Sequence, residues 1–176
     1  MKKLFLMLIA VTSLVLFLSL SLLAQDEKVA NKAIYSELGG PGVLMSANFD
    51  SRFFSDSQFG FGYRAGIGFF YGEYDSDRVN RTIYTIPVGL NYVFGKSSSL
   101  DALEIGAGVT FLSRKVETFF YDSSDKKPNR AFGFFTFMYR RAPEGSGFSW
   151  RVGVTPFINM SGELFPMVVV SIGYIF

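Results

Sequence analysis

The ten residues 167-MVVVSIGYIF-176 decide the fold class of this chain. Side chains of a β-strand point alternately to opposite faces, with a period of two residues. One face of this segment therefore carries only large apolar side chains, namely Val168, Val170, Ile172, Tyr174 and Phe176. The other face is mixed and includes the small residues Ser171 and Gly173. The segment predicts a strand that turns one face to lipid.

The same alternation recurs upstream and predicts an all-β chain of eight strands. In the third strand, residues such as Phe61 and Ile67 oppose glycines such as Gly62 and Gly66. The sixth strand is apolar on both faces, so its inward side is left unassigned. The strands are placed at 33–38, 43–54, 59–72, 82–95, 100–116, 130–141 and 148–158, with the last one following a loop at 159–165.

Two architectures can use this alternation. A soluble lipocalin-like barrel turns its apolar face inward, whereas a membrane barrel turns it outward and keeps small or polar residues in the lumen. Three observations favour the membrane barrel: the other face is mostly glycine, aromatic residues lie near the strand ends, and strands two to eight reach the length of about 9–11 residues that crosses the hydrocarbon. The prediction is an eight-stranded antiparallel up-and-down transmembrane β-barrel over residues 33–176.

The N-terminus has the features of a secretory signal peptide. Lys2 and Lys3 precede an apolar stretch that ends near Ala24, and we expect cleavage between Ala24 and Gln25. The stretch is about 20 residues long, which is also enough for a retained helical anchor. A cleaved signal at 1–24 is favoured because nothing downstream resembles a helical membrane protein. Residues 25–32 form a polar lead-in.

Composition excludes several classes of function. The chain has no cysteine and no histidine, which removes disulfides, thiolate metal sites and histidine-based catalysis. Without the two signal lysines, 15 bases face 15 acids (17 − 2 against 15), so charge gives no reason to expect a nucleic-acid partner. We therefore expect no enzyme activity, no cofactor, no metal site and a monomer in the outer membrane.

The barrel lumen is the candidate site. An eight-stranded barrel is just wide enough for side chains to fill it, and buried charges must be paired. Alternation assigns three acidic and three basic residues to the lumen, with Asn48 and Asn91 completing a network: Glu37, Asp50, Glu104, Arg52, Arg64 and Arg151. Lumen glycines would make room for these long side chains. A structural network that plugs the barrel is favoured over a narrow ion path or gate.

Connections and prolines refine this prediction. With both chain ends in the periplasm, the short turns after strands two, four and six are periplasmic, and the outer connections include two long charged loops at 73–81 and 117–129. Pro87 and Pro156 fall inside strands, where proline cannot donate to the ladder. Each is expected to mark a bulge, unless Pro156 lies close to the outer rim.

Several segments resemble a known family. The motifs YSELGG at 35–40, IPVGLNY at 86–92 and EIGAG at 104–108 are similar to small OmpA- and OmpX-like outer-membrane barrels, including those of Bacteroidetes-type envelopes. The terminal Tyr174 and Phe176 resemble the C-terminal insertion signal that the barrel-assembly machinery recognises, although Ser171 stands where that family usually has glycine. The resemblance covers nearly all of the chain after residue 24.

This resemblance implies a fold and a location more than an activity. The favoured function is a structural, envelope-maintaining or surface-interaction role in the outer membrane. Lys126, Lys127, Arg130 and Arg78 in the outer loops are candidates to contact the phosphates of lipopolysaccharide. Two alternatives stay open: a narrow ion or small-solute channel, and a soluble periplasmic barrel that binds an apolar ligand.

Overall fold

The computed structural model of the chain describes residues 29–74, 79–96, 99–116, 129–143, 145–159, 162 and 164–176. The predicted signal peptide at 1–24 and residues 25–28 of the lead-in lie outside these residues. Eight strands are present, with one short 3-10 turn, η1 (Gly40–Gly42), between the first two. They are β1 (Lys32–Gly39), β2 (Met45–Arg52), β3 (Gly60–Tyr74), β4 (Val79–Phe94), β5 (Asp101–Val116), β6 (Asn129–Arg141), β7 (Gly147–Ile158) and β8 (Leu164–Ile175).

The strands form one closed antiparallel barrel in sequence order, β1 to β8, so the predicted up-and-down fold is confirmed. β1 and β8 close the barrel, with Ala33 opposite Ile175 at one end and Gly39 opposite Val169 at the other. Lys32 and Phe176 extend this seam by exchanging backbone hydrogen bonds of 3.0 and 2.9 Å. We call the end at which β1 begins and β8 ends the lower end, and the opposite end the upper end. No helix among the described residues is long and apolar enough to cross a membrane.

Pro87 and Pro156 each interrupt a ladder without shifting its register, so the predicted bulge at Pro87 was wrong. The β3–β4 pairing resumes in the same register on either side of Pro87, from Ala65–Val88 to Gly68–Thr85. Proline lacks the N–H that the neighbouring strand would accept, which removes a ladder bond and leaves the alignment unchanged. Pro156 lies two residues from the upper end of β7, so it is close to one rim of the barrel.

The register irregularity is found in β5 and β6 instead. The pairing changes between Phe111 and Val116, where Phe111 faces Ala131 but Val116 faces Asn129. An extra stretch on one strand bends it and increases its twist. The upper end of β5 therefore departs from regular geometry where no proline is present.

Strand lengths are less even than predicted. β2 has 8 residues, short of the 9–11 expected, because the chain makes an inward turn through Val43 before the strand begins. β3 and β4 have 15 and 16 residues and extend into the predicted loop at 73–81, leaving only 75–78 between them. The expectation of two long outer loops is thus corrected to one, at 117–128, which lies outside the described residues.

The outward surface of the barrel is apolar, and the buried charged side chains of its strands point into the interior. On β3, Tyr63 and Ile67 point outward with 41% and 69% of their surface exposed, whereas Arg64 between them is 2% exposed. The same division holds on every strand and includes outward residues such as Leu90 and Val168. Because a strand alternates its faces, one register turns the buried charges inward and the apolar side chains beside them outward.

Candidate functional site

All six charged residues that the sequence assigned to the lumen lie inside the barrel. Each of them is at most 4% exposed: Glu37, Asp50, Arg52, Arg64, Glu104 and Arg151. They come from β1, β2, β3, β5 and β7, so the closed barrel brings together residues that are far apart in the chain. An enclosed charge is tolerated only when it is paired and hydrogen-bonded.

One ion pair lies within a strand and another joins two strands. Arg52 pairs with Asp50 on the same strand, and its guanidinium also donates to Asn91 Oδ1 at 2.8 Å. Arg64 on β3 donates Nη2–H to both carboxylate oxygens of Glu37 on β1, at 3.2 and 3.0 Å. Charge-assisted hydrogen bonds of this kind are stronger than those between neutral groups.

Asn91 connects the carboxylates across the lumen. Its amide Nδ2 donates to Asp50 Oδ2 at 2.5 Å and to Glu104 Oε1 at 3.0 Å. Glu104 in turn lies 3.4 Å from Arg151 Nη1, and Asp50 lies 3.8 Å from the same nitrogen. One amide and one guanidinium thus link the acidic groups of β2 and β5, which ties opposite parts of the wall together.

Asn48 does not join this network, contrary to expectation. Its Nδ2 donates to Ser46 Oγ at 2.8 Å on the same strand, and its Oδ1 has no hydrogen-bond partner. Gly66 lies across from it in the register, and a Cβ there would collide with the Asn48 amide. Asn48 therefore fills space against a glycine, opposite Tyr35 in the β1–β2 register, and forms no hydrogen bond or ion pair with a charged group among the described residues.

Two members of the site were not predicted from the sequence. Arg140 on β6 is 4% exposed and its Nη1 lies 3.7 Å from Glu104 Oε2. Tyr35 on β1 is 5% exposed, and its ring stacks against two guanidiniums, with Arg151 Cζ at 4.0 Å and Arg64 Cζ at 5.5 Å from its centroid. Arg140 was missed because β6 is apolar on both faces; a count of its even positions from Phe132 would have placed it inside. Tyr35 could have been predicted because it is an aromatic residue on the same strand face as Glu37, where it can stack against the lumen arginines.

The upper half of the lumen is apolar. Above the charged residues lies a cluster of buried side chains from the residue that follows η1 and from four strands: Val43, Phe70, Ile83, Phe132, Phe134 and Phe157, with Leu112 and Met167 packed against it. Gly89 and Gly108 make room for the Phe134 ring. The lumen glycines had been expected to make room for charged side chains, so at these two positions the expectation was wrong.

The turn between β1 and β2 folds into the barrel and closes this half. Gly40, Pro41, Gly42 and Val43 are all buried. Thr110 Oγ1 donates to the Pro41 carbonyl at 2.8 Å and Thr85 Oγ1 donates to the Gly42 carbonyl at 3.1 Å. We call residues 39–43 the plug turn. Two wall threonines satisfy carbonyls that would otherwise be unpaired inside the barrel.

The backbone of the plug turn is strained at Val43. Its φ of 77° lies in the left-handed region, which a β-branched residue rarely adopts. The neighbouring residues Gly39 and Gly40 have φ of 74° and 69°, and these values cause no steric strain because glycine lacks a Cβ atom. Burial of the Val43 side chain among the phenylalanines offsets this strain, because the left-handed backbone directs it into the apolar cluster.

The lower end of the lumen is closed as well. Ala30, Ala33, Tyr35 and Ile175 form a second buried apolar cluster, with Ala142 packed against it. Below it, Gln58 Nε2 in the β2–β3 turn donates to the Gly145 carbonyl in the β6–β7 turn at 3.4 Å. The charged residues are therefore enclosed between two apolar layers.

The arrangement fits a filled barrel better than a reaction centre. Among the described residues, no group of three acidic side chains is placed to hold a metal ion. Tyr174 and Phe176, the predicted insertion signal, lie at the lower end beside the β1–β8 seam, with Tyr174 opposite Ile34. The interior chemistry is pairing of charges, and its effect is to fill and brace the barrel.

Comparisons with known proteins agree with the fold. No family model matches the chain, and no curated protein matches its sequence. Among solved structures, the chain is similar to the N-terminal β-barrel domain of Pseudomonas aeruginosa OprF, with a TM-score of 0.56 and 10% identity over 85% of this chain and all of that domain. At this identity the likeness concerns the fold alone: a closed antiparallel barrel of eight strands.

Proposed function

We propose that this protein is an integral outer-membrane barrel with a closed lumen and a structural or surface-interaction role. The observation that carries the proposal is the inverted distribution of polarity. Outward side chains such as Ile67 and Val168 are 69% and 68% exposed, while Arg64 and Glu104 are at most 2% exposed. A surface of this kind suits acyl chains, because lipid-facing residues of a barrel are apolar and lumen residues are polar.

The closed interior supports a structural role over transport. A solute on the barrel axis would have to displace the plug turn, the apolar cluster, the charged network and the lower cluster. The soluble alternative requires an apolar cavity for its ligand, but the centre of this barrel holds guanidiniums and carboxylates. It also requires a polar outer surface, which the exposed aromatic and aliphatic side chains do not supply.

The partners of this function are lipids and the assembly machinery. Arg130 is exposed near the upper end of β6, where it would meet the phosphates of lipopolysaccharide if the upper end faces outward. Lys126, Lys127 and Arg78 belong to the same proposal but lie outside the described residues. Each exposed charge would add about 0–1 kcal/mol. Tyr174 and Phe176 would serve as the insertion signal, and the Bacteroidetes-type family suggested by the sequence motifs belongs to this proposal too.

The test combines fractionation with gel mobility. We expect the protein in the outer-membrane fraction, and expect its unheated form to migrate differently from the heated form, because a barrel in detergent stays folded until heated. A folded monomer in plain buffer without detergent would refute the membrane assignment. Planar-bilayer recordings address transport separately: conductance at baseline is expected, whereas a large steady conductance of the pure protein would establish the channel alternative.

A further inference from the structure

The described interior contains one more positive charge than negative. Its arginines are Arg52, Arg64, Arg140 and Arg151, and its acids are Glu37, Asp50 and Glu104, each at most 4% exposed. The difference is one (4 − 3). Arginine stays protonated at any relevant pH, so proton loss does not remove the excess. An enclosed charge without a counter-charge is costly, and the ion pairs of the lumen show which arginine lacks a carboxylate of its own.

Arg140 carries the excess. Arg52 pairs with Asp50 and Arg64 pairs with Glu37, which leaves Glu104 for two arginines. Arg151 Nη1 lies 3.4 Å from Glu104 Oε2, and Arg140 Nη1 lies 3.7 Å from the same oxygen. The longer contact is not a hydrogen bond, and Arg140 Nη1 has no hydrogen-bond partner.

Arg140 and Arg151 lie side by side. They are register partners on β6 and β7, and both point into the lumen. Like charges directly opposite each other on neighbouring strands repel. Besides Arg140 Nη1, the buried Nε and Nη2 of Arg151 have no hydrogen-bond partner, and neither does the hydroxyl of Ser171, which faces Arg151 from β8.

We propose that Arg140 and Arg151 hold a small monovalent anion of the halide class, with Ser171 as a further donor. One bound anion would make the described interior electrically neutral. Guanidinium and hydroxyl groups can both donate hydrogen bonds to such an ion. A water molecule would satisfy the same hydrogen bonds but would leave the charge in place. Arg140 is the second-last residue of β6, so the proposed site lies in the lower part of the lumen. The proposal concerns the interior and does not depend on which membrane holds the barrel.

The first test measures how the folding equilibrium depends on chloride. The folded barrel is unfolded with urea in detergent, and the fluorescence of the single tryptophan, Trp150, reports unfolding. The measurement is repeated at constant ionic strength with chloride replaced by gluconate, an anion too large for the lumen. Above the dissociation constant of the ion, a tenfold rise in chloride should raise the folding equilibrium constant about tenfold, because the ion binds only the folded state. Equal stability in the two salts would overturn the proposal.

Variants assign the effect to the pair. Arg140→Met removes the excess charge and should abolish the chloride dependence. Arg141→Met is the matched control: the neighbouring side chain is 51% exposed and lies near Asp101, so it should keep the wild-type response. Persistence of the response in Arg140→Met would contradict the site. Glu144 is an acid close to Arg140 in sequence and lies outside the described residues. Glu144→Gln should leave the chloride dependence of folding unchanged. If folding depended on chloride only in this variant, Glu144 would be the counter-ion of Arg140 and the proposal would be wrong.

A direct measurement covers the case in which Arg140→Met does not fold. Wild-type crystals grown in bromide should show an anomalous peak between the two guanidiniums. A lumen without that peak, at a bromide concentration that saturates other sites, would refute the proposal.

Discussion

Replacement of Glu104 by glutamine tests how far the interior charges stabilise the barrel. The substitution preserves shape and the hydrogen bond from Asn91, but removes the negative charge that faces Arg151 at 3.4 Å and Arg140 at 3.7 Å. The described excess of positive charge would rise from one to two. Loss of one partner from a buried pair costs about 3–5 kcal/mol, which corresponds to at least about a hundredfold shift in the unfolding equilibrium.

The assay is urea unfolding of the folded barrel in vesicles, followed by Trp150 fluorescence. Asp101→Asn is the control, because Asp101 forms an ion pair with Arg141 at 3.8 Å in which both side chains are about half exposed. Such exposed pairs contribute about 0–1 kcal/mol. Both variants are compared in gluconate, so that no small anion occupies the proposed site. Under these conditions, adding Arg140→Met to Glu104→Gln returns the excess to one and should recover part of the loss.

Comparable losses for Glu104→Gln and Asp101→Asn would refute the reasoning, since burial would then make no difference to the value of an ion pair. A double variant less stable than Glu104→Gln would refute the charge count, because it would mean that Arg140 is balanced by a group other than Glu104.

Three further predictions address packing, the plug turn and the outer surface. Gly108→Val places methyl groups against the Phe134 ring and should destabilise the barrel by about 1–3 kcal/mol in urea unfolding. Gly145→Ala is the control and should be neutral, because the space around Gly145 is open. If Gly108→Val were also neutral, the upper lumen would not be tightly packed. Thr110→Val leaves the buried Pro41 carbonyl without its 2.8 Å donor and should cost about 1–3 kcal/mol by the same measurement, and an unchanged midpoint would mean that the plug turn does not depend on this bond. Ile67→Arg puts a charge on the outward face at mid-strand and should cost about 2–4 kcal/mol in vesicles, seen as a lower folded fraction on unheated gels; full folding would contradict a lipid-facing position.

Much of this architecture follows from local sequence pattern. A period of two fixes which side chains share a face, so the inward positions of Arg64 and Glu104 follow once the outward face is known to be apolar. Strand number and order follow from turn signals and from the short connections that antiparallel neighbours need.

What escaped prediction depends on contacts between distant residues. The inward plug turn is invisible in the motif Gly39–Gly42 alone, because its direction is set by Thr85 and Thr110 on other strands. Arg140 was hidden because the flanking residues of β6 are apolar on both faces, and the inward ones, such as Phe134, pack against the lumen glycines of β4 and β5. The registers of β3–β4 and β6–β7 survive their prolines because the surrounding ladder holds them.

The seven interior charges are distributed over six of the eight strands, β4 and β8 excepted. Two of the acids have their nearest arginine outside their own hairpin: Glu37 on β1 pairs with Arg64 on β3, and Glu104 on β5 lies closer to Arg151 on β7, at 3.4 Å, than to Arg140 on β6, at 3.7 Å. In a chain that enters a bilayer, an open half-sheet would expose bare ions to hydrocarbon, at a cost of several kcal/mol each. Insertion one hairpin at a time is thus disfavoured, and curling of the sheet has to accompany its passage into the membrane.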